Sequence, residues 1–180
     1  MNNDLVTRVD ETVAAVRARS NLDARVAVVL GTGLGALADM VEVDTVIPYE
    51  DLPGFPEPTV ETHSGRLVIG RLGGTPVMVM QGRFHRYEGY TLQEVTFPIR
   101  VLGRLGVETL VVSNVSGGMN PMWSVGELVL LDDHINLLGD SPLVGPNIDE
   151  FGPRFPDMSE PYDRGLQEKA MQAALELGLR

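Results

Sequence analysis

The segment from Gln81 to Tyr90 carries the side chains best suited to chemistry. It reads Gln-Gly-Arg-Phe-His-Arg-Tyr-Glu-Gly-Tyr and combines three basic groups with aromatic rings and two glycines. Arg83, His85 and Arg86 repel one another when charged unless an anion or a carboxylate compensates. One interpretation is therefore a solvated basic turn with Glu88 as its counter-ion. The other is an oxyanion site, because a guanidinium binds such groups through charge-assisted hydrogen bonds.

Two glycine-rich loops elsewhere in the chain favour the oxyanion interpretation. Residues 31–35 read Gly-Thr-Gly-Leu-Gly, and residues 114–121 read Asn-Val-Ser-Gly-Gly-Met-Asn-Pro. Glycine lets backbone N–H groups turn toward a ligand, and successive N–H groups in such a turn form a nest for phosphate. One such loop is weak evidence, whereas three loops in one chain, one of them basic, indicate an anion site.

The three loops follow short apolar runs of the kind that form buried strands, at 25–30, 76–80 and 109–113. Ligands of α/β proteins bind outside the carboxyl ends of the strands, so we expect the loops to meet at one edge of a sheet. The other patterns complete a single α/β domain over residues 1–180. They predict helices at 4–20, 92–105 and 163–177, a helical start at 36–40, strands at 43–47 and 127–131, a hairpin of 67–72 with 76–80, and irregular segments at 48–58 and 138–161.

Composition limits the functions open to this chain. Its 180 residues, 43% of them apolar, suffice for one domain with a core. The net charge of −11 argues against general nucleic-acid or anionic-membrane binding, which needs a basic face. Neither a secretory signal nor an apolar run of about 20 residues is visible, so we expect a soluble, cytoplasmic protein. Without cysteine, and with three histidines that lack metal-ligand spacing, the chain predicts no metal site and a structural role for His134.

Seven motifs follow one another along the chain. They are Gly31-Thr-Gly-Leu-Gly35, Thr62-His-Ser-Gly-Arg66, Gln81-Gly-Arg-Phe-His85 with Tyr87-Glu-Gly-Tyr90, Thr96-Phe-Pro-Ile-Arg100, Asn114-Val-Ser-Gly-Gly-Met-Asn-Pro121, Asp133-His-Ile-Asn-Leu137 and Arg154-Phe-Pro156. In this order they resemble the motifs of the trimeric purine nucleoside phosphorylases. The resemblance implies a mixed, partly barrel-like sheet flanked by helices, and phosphorolysis of purine nucleosides to free base and ribose 1-phosphate. It implies no cofactor, since inorganic phosphate is a co-substrate.

In that reaction phosphate attacks the anomeric carbon while the bond to the purine breaks. Positioning and electrostatic preorganisation supply most of the acceleration, so no protein nucleophile is needed. The resemblance implies that Phe155 reaches a neighbouring subunit's site in a homotrimer. It implies phosphate contacts at Thr32, His63, Arg83, Phe84, His85 and Val115, and nucleoside contacts at Tyr87 and Phe155.

Several of these residues also have a plainer structural interpretation. Thr32 could cap the helix that follows it, and His63 could satisfy backbone groups near Gly65. Tyr87 could belong to the core, since an aromatic residue after a strand is often buried. Phe155 could plug a proline-rich loop.

Two departures from the family pattern bear on function. Val115-Ser116 stand where the family has Ala-Ala, which adds bulk beside phosphate and ribose. The chain stops at Arg180, before the family pattern is complete, so the catalytic and base-binding residues are expected in a missing C-terminal part. We therefore expect little or no phosphorolysis from residues 1–180 alone.

Other functions stay open at this point. A non-catalytic truncated remnant would only bind phosphate or oligomerise. A family member acting on methylthioadenosine or xanthosine would select its base in the missing part. An NAD-dependent oxidoreductase could use Gly31-x-Gly33-x-x-Ala36, but Glu50-Asp51 lies in a proline-flanked loop and not at a strand end, where a ribose contact is expected.

Overall fold

The computed structural model describes residues 2–56 and 65–179, which belong to two compact units. The first unit contains the chain up to Val115 together with residues 141–151. The second contains residues 116–140 and the chain from Gly152 onward. The single domain predicted over residues 1–180 stays a prediction.

The first unit is a five-stranded mixed sheet with two helices. Its strand order is β2-β3-β4-β1-β5, with β1 parallel to β4 and β5, and β3 antiparallel to β2 and β4. The predicted mixed α/β sheet flanked by helices is confirmed, and the sheet formed by these described strands is open. The bounds are α1 Asn2–Arg17, β1 Val26–Leu30, β2 Glu42–Pro48, β3 Arg66–Leu72, β4 Thr75–Gln81, α2 Leu92–Arg104 and β5 Thr109–Val112.

The central strands are apolar on both faces because both faces of the sheet are covered. Met78 and Met80 of β4 belong to the cluster that includes buried side chains of α1 and α2. Val77 and Val79 belong to a second cluster, with residues of the 3-10 turn Gly35–Met40. Since successive side chains of a strand point to opposite faces, the continuous apolar runs that predicted these strands reflect two buried faces.

The predicted hairpin of β3 and β4 is confirmed. Its turn residues, Gly73 and Gly74, both have positive φ values, 56° and 80°. A two-residue turn of this kind matches the twist of the flanking strands and requires residues that tolerate the left-handed region. The register places Arg66, the first residue of β3, opposite Gln81, the last residue of β4.

Helix α2 begins with a capping box and continues through Pro98. Thr91 accepts a hydrogen bond from the Glu94 backbone N–H, and the Glu94 carboxylate accepts one from the Thr91 N–H at 2.7 Å. The buried side chains Phe97 and Val101 face the core, which fixes the helix behind the loop from Gly82 to Tyr90.

The second unit contains helix α3, Arg164–Glu176, whose first turn is capped by Asp163. The strand predicted at 127–131 is wrong, because this segment forms no strand in the structure. A strand needs a ladder partner, and no described strand pairs with this apolar run. In residues 2–56 and 65–179, no helix is long and apolar enough to cross a membrane.

Candidate anion site

The carboxyl ends of β4, β1 and β5 lie side by side. Leu30 of β1 pairs with Gln81 of β4, and Val29 pairs with Val112 of β5. The loops that begin at 31, 82 and 113 therefore leave the sheet at one edge, as the sequence predicted. This arrangement brings the basic loop together with the glycine-rich loop after β1 and with residues 113–115, the start of the loop after β5.

Ser113 connects the three loops through its hydroxyl and its carbonyl. Its Oγ accepts a hydrogen bond from the Gly31 N–H at 3.0 Å and donates one to the Val29 carbonyl at 3.2 Å. Its carbonyl accepts a hydrogen bond from Nη1 of Arg83 at 2.7 Å. One residue at the end of β5 thus fixes the start of the β1 loop and the position of the guanidinium.

The loops after β1 and β5 approach so closely that residue 31 has no room for a side chain. A Cβ at Gly31 would lie 2.6 Å from the Ser113 carbonyl oxygen and 2.8 Å from the Asn114 Cα. Both are backbone atoms, so a side chain there would force the two loops apart.

Arg83 is a half-buried cation that has no carboxylate partner among the described residues. Its Nε donates to Nε2 of His85 at 3.1 Å, and its other acceptor is the Ser113 carbonyl. Burial lowers the pKa of the Arg83 guanidinium because desolvation disfavours the charged form. An arginine nevertheless stays protonated at neutral pH, so this edge keeps a positive charge that an external anion can compensate.

His85 is oriented by Glu88 and Tyr87. Its Nδ1 lies 2.6 Å from the Glu88 carboxylate, which also accepts the His85 backbone N–H at 2.9 Å, and its ring stacks on Tyr87 at 4.7 Å between centroids. Because a carboxylate accepts at Nδ1, we assign the proton to Nδ1 and leave Nε2 as the acceptor for Arg83. Glu88 therefore pairs with His85. It is not the counter-ion of Arg83.

Thr32 and Val115 lie exposed on the two loops beside Arg83. The interpretation of Thr32 as a helix cap is wrong, since the 3-10 turn Gly35–Met40 has Leu34 at its N-cap and no side-chain cap. Phe84 is 3% exposed, so its backbone is the part that can face a ligand. Tyr87 is 77% exposed, which contradicts the interpretation that it belongs to the core.

The remaining predicted site residues are His63 and Phe155. His63 lies outside the described residues. Phe155 belongs to the second unit, where its side chain is 86% exposed and the Arg154 guanidinium lies 5.8 Å from its ring centroid. This exposure contradicts a role as a buried loop plug.

Other candidate ligands have structural partners. Nδ1 of His134 lies 3.1 Å from the Tyr162 hydroxyl, and Asp51 pairs with Arg19 at 3.2 Å. Within the part of the chain that the structure describes, no group of three or more histidine or acidic residues could hold a metal ion.

Residues 25–180 match the model of the Phosphorylase superfamily. The chain belongs to the phosphorylase superfamily. Purine nucleoside phosphorylase 1 of Geobacillus stearothermophilus is 47% identical over 174 residues, which are 97% of this chain and 64% of that protein. The resemblance to purine nucleoside phosphorylases is thereby confirmed, and the dinucleotide-binding alternative is wrong.

Solved structures of purine nucleoside phosphorylases share the fold of this chain. Isoform 2 from Schistosoma mansoni, in complex with cytosine and ribose-1-phosphate, matches with a TM-score of 0.89 and 44% identity, covering 96% of this chain and 61% of that one. A Schistosoma enzyme in complex with hypoxanthine matches with the same TM-score and identity, covering 96% and 62%. The chain thus spans less than two thirds of the length of these relatives.

Two residues at this edge of the sheet were not predicted from the sequence. Ser113 had a weak signal, as a polar residue directly after a buried strand. Tyr49 had none, because it lies in a proline-rich segment without periodicity, yet its hydroxyl donates to the Gly82 carbonyl at 2.8 Å.

Proposed function

We propose that this phosphorylase binds inorganic phosphate at the carboxyl edge of β4, β1 and β5, and that the protein splits purine nucleosides to free base and ribose 1-phosphate. The observation that carries the proposal is Arg83, a cation without a carboxylate partner among the described residues, held where three loops meet. A planar guanidinium can bind two oxygens of one phosphate. A solvated basic turn would not require a guanidinium that is held in one place.

The proposed phosphate contacts surround Arg83. The Thr32 hydroxyl and the backbone near Phe84 and Val115 offer further donors. His85 belongs to the proposed set as well, with Glu88 holding its Nδ1 and so fixing the direction of its ring. His63 completes the proposed set on the strength of the family resemblance.

The proposed substrates are purine nucleosides. The relatives are named purine nucleoside phosphorylases, and the structures of two of them hold ribose-1-phosphate and hypoxanthine. The exposed ring of Tyr87 beside His85 suits a contact with the sugar. We further propose, from the resemblance, that no cofactor is needed, that Phe155 completes the neighbour's site in a homotrimer, and that the enzyme serves purine salvage in the cytoplasm.

A chimera tests this function. Residues 1–180 replace the matching part of the Geobacillus stearothermophilus enzyme, and base release is assayed with inosine, guanosine, xanthosine or methylthioadenosine. We expect phosphate-dependent release of hypoxanthine from inosine with formation of ribose 1-phosphate, and little activity from residues 1–180 alone. Base release that does not require phosphate would contradict phosphorolysis. Phosphate binding without base release from any of the four nucleosides would instead indicate a non-catalytic anion-binding protein.

A further inference from the structure

Tyr49 is a buried polar side chain directly behind the anion edge. It is 1% exposed, and its hydroxyl donates to the Gly82 carbonyl at 2.8 Å. Its backbone N–H donates to the Gly65 carbonyl, also at 2.8 Å, at the residue before β3. Tyr49 thus connects the entry to β3 with the exit from β4.

Tyr49 contacts both neighbours of Arg83 in the chain. The hydroxyl holds the carbonyl of Gly82, which has a φ of 107°, and the ring packs on Phe84 with 5.4 Å between centroids. Phe55 completes this aromatic cluster, 5.1 Å from Tyr49 and 6.2 Å from Phe84 between centroids. The backbone on each side of Arg83 is therefore fixed by one residue, 34 positions earlier than Arg83 in the sequence.

The hydroxyl of Tyr49 is suited to act as a permanent hydrogen-bond donor. Burial raises its pKa, so the group stays neutral across the working pH range of proteins. A buried carbonyl that loses its donor is costly, so the Gly82 peptide would be expected to turn toward another partner. Such a turn would rotate the bond that leads directly into Arg83.

We propose that Tyr49 is a positioning residue for the anion site, and that it holds the Arg83 guanidinium in the orientation that binds two oxygens of one phosphate. This inference rests on the proposed function of the Arg83 edge. Tyr49 itself does not touch the anion. Its contribution is to fix the Gly82–Phe84 backbone so that the fork of Arg83 is aimed before the ligand arrives, which lowers the ordering cost of binding.

The test is a titration of the 180-residue chain with inorganic phosphate, followed by NMR chemical shifts, for the parent and a set of variants. We expect Tyr49→Phe, which removes only the hydroxyl, to weaken phosphate binding about threefold to tenfold, the range for one neutral hydrogen bond. In an Arg83→Lys background the same change should be nearly neutral, because a point charge has no fork to aim. Arg83→Ala should weaken phosphate binding by about 10- to 100-fold, the range for a lost charge-assisted contact.

Two further variants separate positioning from general damage. Phe55→Leu disturbs the same aromatic cluster without touching the Gly82 carbonyl, and Tyr162→Phe removes a hydroxyl that bonds to His134 in the second unit. Both should leave the phosphate dissociation constant within about twofold of the parent, below the effect of one hydrogen bond. Where Tyr49→Phe is unfolded in buffer, all variants are titrated in trimethylamine N-oxide, which favours the folded state.

The outcomes are distinct. An unchanged phosphate dissociation constant in Tyr49→Phe would overturn the inference while leaving the anion site intact. Equal weakening by Tyr49→Phe in the parent and in the Arg83→Lys background would also overturn it, since the effect would not act through the fork. Phosphate binding that persists unchanged in Arg83→Ala would overturn the proposed site and this inference together.

Discussion

At the scale of single residues, the site depends on the charge of the Arg83 guanidinium. The neighbouring residues fix its orientation but do not neutralise it. Arg83 donates to a ring nitrogen and to a backbone carbonyl, whereas the nearby carboxylate of Glu88 accepts from His85. In a chain with a net charge of −11, this half-buried cation carries a desolvation cost that a bound anion can offset. This is the physical reason to assign the edge to an anion.

The first prediction compares two substitutions of Arg83, one that removes its charge and one that keeps the charge but removes the planar guanidinium. In the chimera, Arg83→Ala should raise the phosphate requirement and lower kcat/KM by about 10- to 100-fold, since a charge-assisted contact contributes roughly 1.5–3 kcal/mol. Arg83→Lys should recover only part of the loss, because an ammonium cannot replace the planar fork. Steady-state kinetics with varied phosphate measure both.

Arg86 supplies the matched control for that experiment. It lies on the same loop but is exposed and donates to the Tyr90 carbonyl at 3.2 Å. Arg86→Ala should change the phosphate KM much less than Arg83→Ala, since an exposed charge is screened by salt. Equal effects from the two substitutions would show that only the net positive charge of the loop matters.

The sequence predicted Arg83 and His85 because basic residues clustered after a strand form a local pattern. It could not predict Ser113 or Tyr49, whose hydrogen bonds to backbone groups join residues 82 and 33 positions apart. Such contacts follow from the strand order and register. Neither residue type nor spacing along the chain encodes them.

At the scale of elements, the second prediction follows from the close approach of the loops after β1 and β5. Gly31→Ala should destabilise the protein by about 1–3 kcal/mol, the cost of forcing an extra group into a packed site. It should also weaken phosphate binding, because the loops after β1 and β5 must separate. Gly103→Ala is the control: among the described residues, no atom outside the neighbouring backbone of α2 lies within 4 Å of its Cβ position, so it should stabilise by about 0.5–1 kcal/mol. Urea denaturation measures both, and a neutral Gly31→Ala would contradict the observed packing.

The third prediction concerns the acid sensitivity of α2. Hydrogen bonds from the Thr91 side chain and then its backbone lower the pKa of Glu94 below its ordinary value of 4.5. The folded pKa lies below the unfolded one, so this contribution is present above pH 4.5 and is lost as the pH falls through the folded pKa.

Glu94→Gln removes the titrating group, so its stability deficit relative to the parent should shrink as the pH falls below 4.5. Denaturant unfolding of Glu94→Gln and of the parent at several pH values tests this prediction. A deficit of Glu94→Gln that stays constant into acid would mean that the capping box does not act through the carboxylate charge.

Most elements of the first unit could be predicted because the apolar pattern of each segment agrees with the way that the segment is buried in the fold. The hairpin had two glycines between apolar runs, and α2 had an apolar face. The strand predicted at 127–131 failed because an apolar run specifies burial or pairing without specifying the partner. The segment lies outside the five-stranded sheet that the structure describes.

At the scale of the whole molecule, the two edges of the sheet differ. β5 is the last strand at one side, and its side chains at 110–112 are 39–58% exposed. β2, at the other side, has a register shift between Val43 and Thr45 and ends in Pro48, features that discourage pairing with another chain. We therefore expect the β5 edge to mediate self-association of residues 1–180.

Val111→Lys should reduce this association, because a charge on an edge strand opposes pairing. Val46→Lys, at an exposed position of β2, is the matched control and should change it little. Sedimentation velocity over a range of protein concentrations measures both. A trimer that survives Val111→Lys unchanged would contradict association through β5 and would favour the proposed homotrimer.

The most direct measurement of the central claim is an arginine side-chain NMR titration with inorganic phosphate. If the three loops form a phosphate site, the Nε–H signal of Arg83 shifts saturably, together with backbone amides near Thr32 and Val115. The exposed arginines Arg25 and Arg71 should show only the small, linear changes caused by ionic strength. Saturable shifts confined to exposed arginines, or an Arg83 signal that does not respond to phosphate, would contradict the account.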